Sequence, residues 1–181
     1  MAILSVPNTG LELQDPNAIQ SYLNNLGVHF EQWHCDVIFQ DDASQEEILA
    51  AYAKYLDPFM KKGSYQTADV ISIHAATPNY DAIRAKFLAE HIHIEDEIRF
   101  FVDGQGLFWF NLDGHEVFNV LCERGDLISV PAGTKHWFDA GERNPFVKAI
   151  RIFTDMSGWT PHYTDSGTEQ NFSDFKMPSR G

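Results

Sequence analysis

A mainly β fold of jelly-roll type is predicted for this chain of 181 residues by three observations. Short apolar runs at 98–102, 107–110, 116–121, 127–130, 136–138 and 146–153 alternate with Gly, Pro and Asp turns, the even spacing of a jelly roll or small barrel. Aromatic residues reach 13%, with 14 Phe, enough bulky rings to line such a barrel. His91 and His93 stand one residue apart, the spacing that puts two side chains on one face of a strand.

The elements before that core are mixed. Asp15 before Pro16 reads as an N-cap with proline in the first turn. Ile19, Tyr22, Leu23 and Leu26 then form one apolar helical face that Gly27 ends. Ser44-Gln45-Glu46-Glu47 is a capping box opening a second helix with Ile48, Tyr52, Tyr55 and Leu56 on one side, which Asp57-Pro58 ends or bends. Ala68–His74 reads as a strand, and Thr77-Pro78 starts a third helix carrying Tyr80, Ile83, Phe87 and Leu88. From Thr154 the tail turns polar and is expected to wrap the surface or fray. No Ser/Gly linker or charge block divides the chain, so one domain is expected over 1–181. It would have helices and strands to residue 90, a barrel core at about 90–153 and a tail at 154–181.

Within the core, His91, His93, Glu97 and His136 read as ligands of a first-row metal. A straight strand of four residues covers roughly 13 Å, so the chain must fold back between His93 and Glu97, and Glu95-Asp96 supplies the turn. Asp103-Gly104-Gln105-Gly106 reads as a hairpin turn between the 98–102 and 107–110 strands. Pro131-Ala132-Gly133 suits a type I turn that feeds His136 onto a new strand. Three imidazoles and a carboxylate suit Fe, Ni, Mn, Co or Zn, with no thiolate to select zinc or copper. Single histidines in a β-rich chain are more often structural, which is the reading for His29, His34, His74, His115 and His162.

Face parity adds Arg99 and Phe101 to the face of Glu97, and Phe138 to that of His136. Arg99 would reach into the cavity to pair with an anionic substrate. Arg151 shares a face with Ala149 and Val147, opposite Ile150 and Ile152, and parity does not say which face is interior. A surface position or a salt bridge is an equal reading for Arg151. Phe87, Phe138 and Trp159 are candidate pocket walls, with core packing as the default.

A formal charge of −13 argues against nucleic acid or an anionic membrane as partner. There is no apolar stretch long enough for a membrane span, and Met-Ala-Ile-Leu-Ser-Val lacks a basic leader. Cys35 and Cys122 make no disulfide framework, so a cytoplasmic setting fits.

The two stretches around the ligands resemble the paired cupin motifs G-x5-H-x-H-x3-E-x6-G and G-x5-P-x-G-x2-H, except that Ala85 stands in place of the first glycine, inside the third helix. Lys86–Gly104, with its Glu95-Asp96-Glu97-Ile98-Arg99-Phe100-Phe101-Val102 segment, Leu121–Asp139, Ala149–Phe153 and Gly158-Trp159 resemble the acireductone dioxygenase family more specifically. The resemblance implies a cupin double-stranded β-helix (jelly-roll barrel) with the N-terminal helices packed outside. It also implies a monomer holding one Fe(2+) or Ni(2+) through His91, His93, Glu97 and His136. The substrates would be an acireductone, bound as a dianion, and O2. Iron would give formate and the ketoacid precursor of methionine; nickel would give carbon monoxide, formate and methylthiopropionate. Arg99 would generate or hold the dianion, Arg151 would touch substrate, and Glu90 and Asp96 would serve metal incorporation and conformational relay. Two other readings share the ligand pattern: a metal-dependent sugar isomerase that consumes no oxygen, and a non-catalytic ligand binder.

Overall fold

The computed structural model describes residues 2–34, 36–40, 42–155 and 160–178. The described elements run β1 (Ile3–Val6), β2 (Leu11–Leu13), α1 (Pro16–Asn25), β3 (His29–Gln32), α2 (Gln45–Gly63), β4 (Thr67–His74) and α3 (Tyr80–Leu88). They continue with β5 (His91–Ile92), β6 (Glu97–Phe110), β7 (Phe118–Glu123), β8 (Asp126–Val130), β9 (His136–Asp139), β10 (Phe146–Phe153), β11 (His162–Tyr163) and a 3-10 turn over Thr168–Phe172. None of these helices is long and apolar enough to cross a membrane.

Two antiparallel sheets face each other and share β6. One runs β11-β5-β9-β6-β7-β1-β2; the other runs β4-β10-β6-β8-β3. The result is a jelly-roll sandwich whose sheets do not close on themselves among the described residues. Phe101, Phe108, Phe110, Ile128, Phe138, Val147 and Ala149 fill the space between the sheets. α2 lays Ile48, Tyr52 and Leu56 over Ile98, Phe100, Ile150 and Ile152 on the outer face of the second sheet. Both faces of β6 and β10 are therefore buried, which explains their nearly continuous apolar runs. It also settles parity on β10: Val147 and Ala149 face the interior and Ile150 and Ile152 pack outward.

The hairpin expected at Asp103-Gly104-Gln105-Gly106 is not there. β6 runs unbroken through these residues, pairing with β10 and β8 before Gln105 and with β7 and β9 after it. Lys148 and Ala149 face Asp103 and Phe101, so Val102 is the extra residue of a bulge. Gly104 follows at φ +78°, where a Cβ would stand 2.0 Å from the Phe146 carbonyl oxygen. A glycine with positive φ serves a hairpin turn or a strand corner equally well, and here the bulge bends one strand from the second sheet into the first.

The expected caps hold the helices. Asp15 accepts a hydrogen bond from the Ala18 N–H, and Ser44 and Glu47 close both halves of their capping box. α2 continues through Pro58 to Gly63, and α3 begins at Tyr80, two residues after Pro78. The tail does wrap: Phe172, Phe175 and Met177 pack on the stacked Trp109 and Trp137 at the outer face of the first sheet. Cys122 is a free, buried thiol, and Cys35 lies outside the described residues.

Asp126, the first residue of β8, is fully buried and accepts hydrogen bonds from the Glu123 N–H and Gln32 Nε2, each at 2.8 Å. Burial raises its pKa from 3.8 to about 6, against the opposing pull of the Gln32 hydrogen bond. Between those values the native state binds more proton than the unfolded chain, so stability falls as pH rises from about 4 to about 6. At 1.36 kcal/mol per pKa unit the loss amounts to roughly 3 kcal/mol. Urea denaturation across that window, compared with Asp126→Asn, should show a slope in the native chain that is flattened in the variant.

Candidate metal centre

The chain brings His91 and His136 together across one sheet, adds His93 from the residue just past β5, and brings Glu97 onto them from the other sheet. His91 on β5 is the direct cross-strand neighbour of His136 on β9. The chain then leaves the first sheet through residues 93–96 and enters β6 of the second at Glu97, so the fold-back is a crossing between sheets. Three hydrogen bonds lock the crossing: the Gly133 N–H donates to the His93 carbonyl, and Asp96 accepts from the Ala132 N–H and the Tyr65 hydroxyl. The Pro131-Ala132-Gly133 turn and the His93–Glu97 segment are thus tied into one unit.

The nearest ligand atoms of His91, His93, Glu97 and His136 all lie within 4.8 Å of one another, and all four side chains are buried. Glu97 Oε2 stands 2.9 Å from both His93 Nε2 and His136 Nε2. An octahedral ion with bonds of about 2.1 Å separates adjacent ligands by about 3 Å and opposite ones by about 4.2 Å, so the set needs little contraction to coordinate. Nδ1 of each ring lies against a backbone carbonyl: Ala89 and Thr134 at 2.7 Å for His91 and His136, Thr160 at 3.2 Å for His93. A carbonyl only accepts, so Nδ1 donates and a neutral ring turns its Nε2 lone pair to the centre. Burial, with His136 nearby, lowers the His91 pKa to about 4 and keeps that ring neutral. Burial alone would raise the Glu97 pKa, but the Arg99 charge and the contacts with His136 and His93 outweigh it and hold the carboxyl well below its usual range. Three nitrogen lone pairs and a carboxylate oxygen converge in a buried place, a donor set that a divalent cation fits.

His91, His93 and Glu97 line a cavity of about 620 Å³, within the range of small-molecule sites. Arg99 Nη2 bonds Glu97 Oε1 at 2.8 Å, and its guanidinium carbon sits 4.5, 5.5 and 5.9 Å from the ring centres of Phe138, Phe108 and Phe87. Three π faces and one carboxylate fix its orientation at the cavity floor. Arg151 also lines the cavity, where Asp69 on β4 grips it in a bidentate pair of 2.8 and 2.5 Å. Phe87 and Phe138 line it with Ile71, Ile73, Pro161 and Tyr163.

The relatives of this chain agree with that chemistry. The ARD/ARD′ family model matches residues 8–161. An acireductone dioxygenase of Picosynechococcus sp. is 64% identical over 160 residues, covering 88% of this chain and 90% of the relative. The chain belongs to the acireductone dioxygenase family. A second such enzyme, from Granulibacter bethesdensis, is 49% identical over 162 residues, covering 90% of this chain and 89% of the relative. Among solved structures, an acireductone dioxygenase from Bacillus anthracis with a cadmium ion in its active centre superposes with a TM-score of 0.81 at 33% identity, covering 90% of this chain and 98% of that one. The His-rich cluster of this acireductone dioxygenase family member is a site for a divalent metal ion.

Two further sequence candidates, Glu90 and Asp96, fall outside the cavity lining. Glu90 is buried beside β5, where it accepts hydrogen bonds from Asn111 Nδ2, Thr164 Oγ1 and Ser166 Oγ and so clasps the tail to the first sheet. Burial would raise its pKa, but those three donors hold it below the usual value. Asp96 sits at the sheet crossing described above. Trp159 lies outside the described residues. Sequence reasoning missed Asp69, Phe108, Thr160 and the tail residues Pro161 and Tyr163. Of these only Phe108 had a signal, its even spacing from the interior Phe110 on the 107–110 strand.

Proposed function

We propose that the chain is a metal-dependent acireductone dioxygenase, acting as a cytoplasmic monomer on 1,2-dihydroxy-3-keto-5-methylthiopentene and O2. His91, His93, Glu97 and His136 would hold one Fe(2+) or Ni(2+). The observation that carries the reading is the placement of the Arg99 guanidinium against Glu97, in the lining of a largely apolar cavity that His91, His93 and Glu97 also line. When bound, the ion supplies Lewis acidity and a template for substrate oxygen atoms.

Arg99 binds the negative charge of the deprotonated enediol, and its cage of Phe87, Phe108 and Phe138 lets it do so without reorganising. A charge-assisted contact of this kind contributes about 2 kcal/mol in a partly dry site. Arg151 adds a second guanidinium at the wall, a charged donor for the dianion. Ile71, Ile73, Phe87 and Phe138 exclude water and receive the apolar methylthio end. Affinity order favours nickel over iron for these donors, while supply decides which is loaded.

Oxygen uptake with the acireductone, on iron- and nickel-reconstituted protein, tests the reading. Formate should form with both metals and carbon monoxide with nickel only. Turnover of the enediol or of a sugar without oxygen consumption would contradict it.

A further inference from the structure

Three charged residues lie in one row across neighbouring strands. Arg151 on β10 is in register with Asp69 on β4 and, on its other side, with Arg99 on β6. Two guanidinium groups directly opposite each other on one face repel, and the presence of Arg151 indeed lowers the Arg99 pKa, after the larger effect of burial. Glu97 is the counter-ion of Arg99. Asp69 is the counter-ion of Arg151: its two carboxylate oxygens take Nε and Nη2, and the guanidinium carbon lies 5.1 Å from the Phe153 ring centre. A bidentate grip on the Nε–Nη2 edge fixes the plane of the guanidinium as well as its position. Asp69 is not among the residues lining the cavity, so whatever it contributes there passes through Arg151.

We propose that Asp69 is a positioning residue for substrate: it holds the Arg151 guanidinium on the cavity wall, away from Arg99, in the place where an enediolate is received. The proposal rests on the acireductone reading above. Without Asp69, Arg151 is repelled by Arg99 and loses its fixed orientation, so anion affinity falls while the metal and Arg99 stay as they are.

Asp69→Asn should raise KM for the acireductone about tenfold and leave kcat within about twofold. Calorimetry of the nickel-loaded protein with squarate, an oxygen-stable planar enediolate dianion, should show the same loss of affinity with metal content unchanged. Added to Arg151→Met, the Asp69 change should have no further effect on KM or on squarate binding. Should asparagine here prevent folding, Asp69→Ser makes the same comparison. KM and squarate affinity within threefold of the native protein would overturn the proposal, as would an additional tenfold loss in the Arg151→Met background. Failure of the native protein to consume the acireductone, with squarate binding still dependent on Asp69, would sink the substrate reading alone.

Discussion

Glu97→Gln is expected to abolish metal retention and to cut turnover by on the order of a thousandfold, the scale of several kcal/mol of lost charge stabilisation. The side chain is almost fully buried and is the one anionic member of the set. Glutamine keeps the shape but removes the charge that offsets both a divalent cation and Arg99. The Arg99 guanidinium, 2.8 Å away and also buried, would then lose its counter-ion. Breaking one side of a buried pair costs about 3–5 kcal/mol. The variant should therefore unfold at lower denaturant than the native chain when both are metal-free. Metal analysis after gel filtration and a urea transition check the two halves independently. A glutamine variant that keeps one tightly held metal per chain would remove Glu97 from the ligand set.

Arg99→Met is expected to separate substrate handling from metal binding. Methionine fills the volume within the Phe87, Phe108 and Phe138 cage at little packing cost. The lost guanidinium is the donor placed to meet the enediolate, so kcat/KM should fall about a hundredfold to a thousandfold, as for other preorganised donors. Metal should remain bound at neutral pH, where the ion itself balances Glu97. The pH dependence should change in a defined direction. Arg99 is the largest of the influences that pull the Glu97 pKa down against burial. Removing it lets that pKa rise, so the variant should release its metal at higher pH than the native chain as acid is added. Full activity in a metal-loaded Arg99→Met protein would exclude Arg99 from the chemistry.

The metal centre was the most legible part of the sequence, because His91-x-His93 and the Pro-x-Gly turn before His136 encode ligand geometry through local spacing. The requirement that the chain fold back before Glu97 followed from strand length alone. Its form, a crossing from one sheet into the other, did not, since β5 and β6 are separated by β9 in the sheet order. Gly104 misled for a related reason: local sequence cannot distinguish a glycine that ends a strand from one that bends it at a bulge. β1, β2 and β3, of four, three and four residues, carry too few positions for alternation to register. Arg151 could not be assigned to a face because Val147, Ala149, Ile150 and Ile152 are all apolar and both faces are covered. Asp69 and Thr160 act across 82 and 67 residues of chain, and no local pattern announces contacts of that kind.

One divalent ion held by His91, His93, Glu97 and His136 is the expectation from which the others follow. The most direct measurement counts tightly bound transition-metal ions per chain after Ni(2+) or Fe(2+) reconstitution and gel filtration, in the native protein and in His91→Ala and His136→Ala. About one ion per native chain, with near-complete loss in both variants, is the expected result. A native chain that retains less than a tenth of an ion, or variants that retain as much as the native chain, would contradict it.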